Sequence, residues 1–181
     1  MRTSVFLSYP KPFVQMQQDF IDAIKQDLQD RNLEPRTLGV TDYNMDAPLV
    51  GIRRLLLESY GLVTIAFRRC HIASGIKNPN SDMGCGAEKI KDKWTTSPYC
   101  HIEPAMAFQM GLPILVLREN GVLEDGILER GVTGLYLPEF NLQAQSALDY
   151  IHSCEWTQIV SQWQTQVHLF MKNKITPPKL F

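Results

Sequence analysis

A chain of 181 residues, 44% of them hydrophobic, is long enough for one compact domain with a sizeable core. Its 18 basic and 19 acidic residues are mixed along the sequence and leave a net charge of −1. That balance excludes the electrostatic footprint of a protein for duplex nucleic acid or for an anionic membrane surface.

No apolar stretch approaches the ~20 residues a membrane helix needs. Val5-Phe6-Leu7-Ser8-Tyr9 is too short for the apolar core of a secretion signal, and Pro10-Lys11-Pro12 follows it. Cys70, Cys85, Cys100 and Cys154 stand at irregular spacings, so reduced thiols in a cytoplasmic protein are the expectation.

In chain order, residues 2–9 form a β-rich run that ends at a proline pair, a strand followed by a loop. Over 13–31, Phe13, Met16, Phe20, Ile24 and Leu28 recur at spacings of three and four, which predicts an amphipathic helix. Residues 34–38 are a short polar strand suited to a sheet edge. The polar loop 39–48 holds Asp42, Asn44 and Asp46. Pro48 suits the first turn of a second helix, with Asp46 as its cap. The unbroken apolar run 62–67 predicts a central parallel strand covered on both faces.

Residues 71–96 change character, being rich in Gly, Asn, Ser, Asp and Lys with little apolar periodicity. They read as a long loop, either a lid or disordered. A helix over about 100–110, a strand at 113–117 and a further strand at 131–137 follow. Two helices, about 142–153 and 155–172, form a helical extension at about 141–172. The sum is a single domain over 1–181: an α/β, flavodoxin-like open sheet of about five mostly parallel strands with helices on both faces.

In such sheets ligands bind beyond the carboxyl ends of the strands. That rim collects Tyr9, Lys11 and Phe13 after the first strand, Asp42 and Asp46 after the second, Arg68 after the third and Arg118 after the fourth. It also collects Glu103, in Ser97-Pro98-Tyr99-Cys100-His101-Ile102-Glu103, at the predicted helix start. There, partial burial raises a carboxyl pKa and the helix dipole lowers it. Tyr9, Phe13, Trp94 and Tyr99 offer flat apolar walls, with Trp94 either a lid residue or a packing anchor. Cys100 reads as packing. No Cys or His spacing suits a metal, and none is expected.

Four of these segments together resemble the TIR-like domain family, which is related to nucleoside deoxyribosyltransferases. Val5-Phe6-Leu7-Ser8-Tyr9 is similar to the family's first-strand box. Residues 52–59 running into 62–67 resemble its second helix and third strand. Ser97-x-Tyr99-Cys100-x-x-Glu103 resembles its Ser-x-aromatic-Cys-x-x-Glu signature, and Gly111-Leu112-Pro113-Ile114-Leu115 resembles the strand after it. The stretch from 70 to 96 is longer than the usual TIR connection, and Pro104 stands where the family often carries Leu or Ile.

The resemblance implies that Glu103 is catalytic in an N-glycosidase cleaving the nicotinamide–ribose bond of NAD+, with NAD+ as substrate and no cofactor. Substrate contacts from Tyr9, Lys11, Phe13, Asp42, Asp46, Arg68 and Arg118 follow from their place on the rim, and those from Trp94 and Tyr99 from their flat apolar faces. The resemblance also implies a homo-oligomer and a separate effector protein that responds to the product in antiviral defence. A deoxyribosyltransferase or nucleotide N-glycosidase, and a non-enzymatic TIR-like adaptor, remain alternatives at this point.

Overall fold

A computed structural model describes residues 2–43, 45, 47–134 and 136–174. The core is a five-stranded parallel sheet in the order β2-β1-β3-β6-β7: β2 (Leu33–Arg36), β1 (Thr3–Ser8), β3 (Leu62–Ala66), β6 (Ile114–Glu119) and β7 (Glu139–Phe140). This is the doubly wound α/β fold expected from the sequence. The short polar strand lies at an edge and the unbroken apolar one at the centre.

Alternation along β1 and β3 divides the core in two. Val5, Leu7, Val63, Ile65 and Phe67 face helices α1 (Gln15–Asp30), α4 (Ala147–Ile151) and α5 (Cys154–Asn173). Phe6 and Leu62 face α2 (Pro48–Leu57) and α3 (Tyr99–Gln109). The first face holds the bulk. Phe20 stacks on Phe140 with ring centroids 4.3 Å apart, Phe67 meets both rings edge-on, and Trp156 is fully buried behind Tyr150. Gly61 lets this layer close: a Cβ there would lie 2.6 Å from Val167 Cγ2 and 3.0 Å from Trp163.

Several boundaries differ from the sequence reading, each for a physical reason. Residues 71–96 are not an irregular loop. They form an antiparallel ribbon, β4 (Cys70–Lys77) with β5 (Glu88–Thr95), exposed on both faces and therefore without apolar alternation. The strand expected at 131–137 is instead turn and irregular backbone where described, and pairing with β6 is confined to Glu139–Phe140. The helix expected over 142–153 shrinks to α4, because Ser146 caps it by accepting from the Asp149 N–H. Phe13 precedes α1, and Met16 points outward. Ala47 is the N-cap of α2, with no side-chain cap bond; the expected cap Asp46 lies outside the described residues.

Among the described residues no helix is long and apolar enough to cross a membrane, and no cluster of His, Cys, Asp or Glu could hold a metal ion.

Candidate active site

β1 pairs with β2 on one side and β3 on the other, so the chain reverses its direction of sheet growth between β1 and β3. Beyond the carboxyl ends of those two strands lies the crevice where doubly wound sheets bind ligands. Ser8 is the last residue of β1, and Thr64 stands beside it in register. By alternation both hydroxyls share the face of Phe6 and Leu62, beneath α3.

Helix α3 brings Glu103 to the same point. Its inward stripe is Cys100, Glu103, Pro104 and Ala107, a spacing of three and four. One carboxylate therefore occupies a position the fold otherwise fills with small or apolar groups. Glu103 is 8% exposed, and burial pushes its pKa up to about 7, only partly opposed by the Ser8 hydroxyl donating to it.

The helix-start reading needs correction here. Pro98 is the N-cap and Tyr99 the first helical residue, so Glu103 lies beyond the first turn, and desolvation rather than the helix dipole governs it. Pro104 is a helix-interior proline; having no N–H, it leaves the Cys100 carbonyl without its bond from four residues on. Cys100 itself is packing. Its thiol lies 3.7 Å from the Ile65 carbonyl oxygen and accepts from Thr96 Oγ1 at 3.5 Å, and burial pushes its pKa up to about 12.

The hydroxyl of Thr64 is fully buried and has no hydrogen-bond partner among the described residues. An unpaired buried hydroxyl is costly to hold, and this one adjoins Ser8 at the ligand crevice. Thr64→Val is therefore expected to raise the melting temperature by roughly 2–4 °C. The same change should weaken substrate use, a split visible by pairing thermal melts with turnover assays. A loss of stability would show that the hydroxyl has a structural partner instead. Thr37 completes the rim: its Oγ1 donates to the Leu7 carbonyl at 2.9 Å and ties the loop after β2 to the end of β1.

The other rim residues are dispersed. Arg36 pairs with Asp42 and with Glu58, the latter at 2.8 Å. The bond from Arg36 holds the Asp42 carboxyl below its usual range and keeps it within the loop's own scaffold. Asp46 lies outside the described residues. Tyr9 packs on the α1 face beneath Lys25 Nζ, 5.3 Å from its ring centroid, and so turns away from Glu103. Arg118 does not reach the rim at all. It is 1% exposed and engaged by Glu139 at 2.5 Å, Glu124 at 2.9 Å and the Leu128 carbonyl at 3.2 Å.

Arg68 is pinned on the α1 side. Its N–H donates to Glu119 Oε2 at 2.8 Å and its Nε to the Asn120 carbonyl at 2.5 Å, while Gln17 Nε2 donates to its carbonyl at 3.2 Å. Burial pushes the Glu119 carboxyl up, only partly opposed by the Arg68 N–H and charge and by Gln17. Trp94 is an anchor. Its N–H donates to Gly121, its carbonyl accepts from Leu123, and its ring lies 4.7 Å from His71 and 5.9 Å from the Arg68 guanidinium. Lys11, Phe13 and Tyr99 are exposed, and no described contact joins them to Glu103.

Ser8, which donates to Glu103, and Thr64 beside it are the residues that sequence reasoning missed. The signal that could have found them was a lone hydroxyl within an otherwise apolar run. On the opposite flank of α3 a cavity of about 760 Å³ is lined by Arg69, Cys70, Ser97, His101 and Asp125.

No protein-family model matches the chain, and no curated protein matches it by sequence. Among solved structures, the chain is similar to a CMP N-glycosidase from Clostridium botulinum, BcmB, at 14% identity and a TM-score of 0.49, covering 82% of this chain and 94% of that one. It is also similar to the TIR domains of the activated Roq1 resistosome that recognizes the effector XopQ, at 11% identity and a TM-score of 0.41, covering 93% and 82%. A conserved protein from Enterococcus faecalis V583 is similar at 14% identity and a TM-score of 0.41, covering 77% and 82%. At so low an identity and score these likenesses say nothing of chemistry.

Proposed function

We propose that the chain is an N-glycosidase that cleaves the nicotinamide–ribose bond of NAD+, with Glu103 as the carboxylate beneath the anomeric carbon. The observation that carries this reading is a single buried carboxylate at the β1/β3 crevice, with one hydroxyl donor among the described residues. The resemblance of the segment 97–103 to the TIR signature supports it.

The chemistry asks little else of the protein. In NAD+ the leaving base is already cationic, so the C1′–N bond breaks to give neutral nicotinamide and an oxocarbenium-like ribose. An anionic carboxylate close by stabilises that charge, as in glycoside hydrolysis. Water then forms the C1′–O bond and releases a proton, giving ADP-ribose. A product of that type suits a nucleotide signal to a separate effector in antiviral defence.

The carboxylate must be ionised to act, so kcat/KM should rise with pH through about 7, the value set in the free protein. Bound substrate brings a positive charge next to Glu103 and lowers its pKa, so the limb of kcat should lie at lower pH. The test is free nicotinamide released from NAD+ across pH, alongside base released from nucleotides and nucleosides. Release from a mononucleotide alone would move the substrate but keep the carboxylate. No release from any of them would overturn the enzymatic reading.

A further inference from the structure

The ribbon of β4 and β5 has two unlike edges. β5 carries Glu88, Lys89, Lys91, Asp92 and Lys93 within eight residues. At its root the backbone of Trp94 bonds to Gly121 and Leu123. β4 reads Cys-His-Ile-Ala-Ser-Gly-Ile-Lys, with its one full-time charge at the last position. Among the described residues no strand pairs with its outer edge. Charge, proline and coverage are the devices that stop exposed edges from pairing, and β5 has two of them while β4 has none along its length. A two-stranded ribbon standing alone in water is marginal, yet Ile76 stands 58% exposed on it.

We propose that β4 is a self-association edge. Two copies pair their β4 strands antiparallel about a two-fold axis through Ser74, making a four-stranded sheet with the charged β5 strands outermost. The side chains select this register. Centring on Ser74 sets Ile72 opposite the partner's Ile76, and the two-fold repeats that pair on the other side of Ser74. Lys77 then falls opposite the partner's His71, and the two lysines sit at opposite ends of the seam. Centring one half-step away, between Ala73 and Ser74, would place Ile72 opposite Gly75 and lose both isoleucine pairs. Parallel in-register pairing would stack Lys77 on Lys77. The strand is thus its own complement in one arrangement, which favours a second copy over an unrelated extended peptide.

The test is oligomeric state, and it is independent of the glycosidase reading. Sedimentation equilibrium in the micromolar range should show a dimer. A double variant, Ser74→Lys with Ile76→Lys, should be monomeric at the same concentrations with an unchanged circular dichroism spectrum. In a background with Cys70, Cys85 and Cys154 changed to Ser, Ser74→Cys should form an inter-chain disulfide under mild oxidation, while His71→Cys, far from its own copy, should not. A wild-type monomer throughout that range would overturn the proposal. So would a dimer indifferent to the two lysines, or equal cross-linking at positions 71 and 74.

Discussion

Glu103→Gln is expected to abolish nicotinamide release while raising the stability of the protein above neutral pH. Both effects come from the same burial. The acid's pKa is about 7 in the folded chain against an ordinary 4.5, so between those values the folded state binds more protons than the unfolded one. Stability therefore falls as pH rises from about 4.5 to about 7, and stays lower beyond it. The total is roughly 2–4 kcal/mol. A glutamine side chain at this position would bring no charge to bury, so the variant should melt roughly 4–10 °C higher than wild type at about pH 8. At about pH 4, where the acid is protonated in both states, the two should melt together.

Loss of a carboxylate that stabilises the transition state should cost at least on the order of a hundredfold in kcat/KM. Thermal melts at the two pH values and one turnover assay settle it. Equal melting curves at the higher pH would mean that Glu103 is not desolvated, and undiminished turnover would remove it from the chemistry.

Arg118→Ala should be strongly destabilising, with no direct effect on substrate binding. The guanidinium joins the carboxyl end of β6 to Glu139 of β7, to Glu124 and to the carbonyl that ends the short turn Gly126–Leu128. Burial alone would raise the Glu139 carboxyl; hydrogen bonds from Arg118 and Arg130 outweigh it and hold it below its usual range. Removing one partner of such a set leaves a part-buried carboxylate and an unpaired carbonyl, a loss of roughly 3–5 kcal/mol. The melting temperature should fall by roughly 10–15 °C, and by less for Arg118→Met, which keeps the volume of the stem. KM in the remaining folded protein should be unchanged. A pyrophosphate-binding arginine would give the reverse pattern, a raised KM and an unchanged melt.

The parallel sheet was legible because its central strands are buried on both faces and so read as unbroken apolar runs. The carboxylate was legible because it stands just before an apolar stretch, in a segment that resembles a known signature. Its surroundings were not. Ser8 and Thr64 lie 56 residues apart (64 − 8) and become neighbours only through the β1–β3 register. Arg118 looked like a rim cation because it follows the apolar run 113–117, and only the two-residue strand Glu139–Phe140 reveals what it is held by. Pro104 is a poor guide to the helix start, although proline prefers the first turn. The fold instead accepts it inside the helix, with one backbone bond forgone. The ribbon escaped because alternation marks a strand only when one of its faces is buried.

The division of the two sheet faces has a consequence for redesign. The aromatic pile of Phe20, Phe67, Phe140, Tyr150 and Trp156 lies wholly on the side of α1, α4 and α5, whereas Glu103, Ser8 and Thr64 lie on the other. Ser8 and Thr64, the polar positions of β1 and β3 on that side, therefore form a small palette that a library could vary in testing other sugars or leaving bases. The odd-numbered positions, with Phe6 and Leu62 left untouched as well, would keep both sides of the core intact.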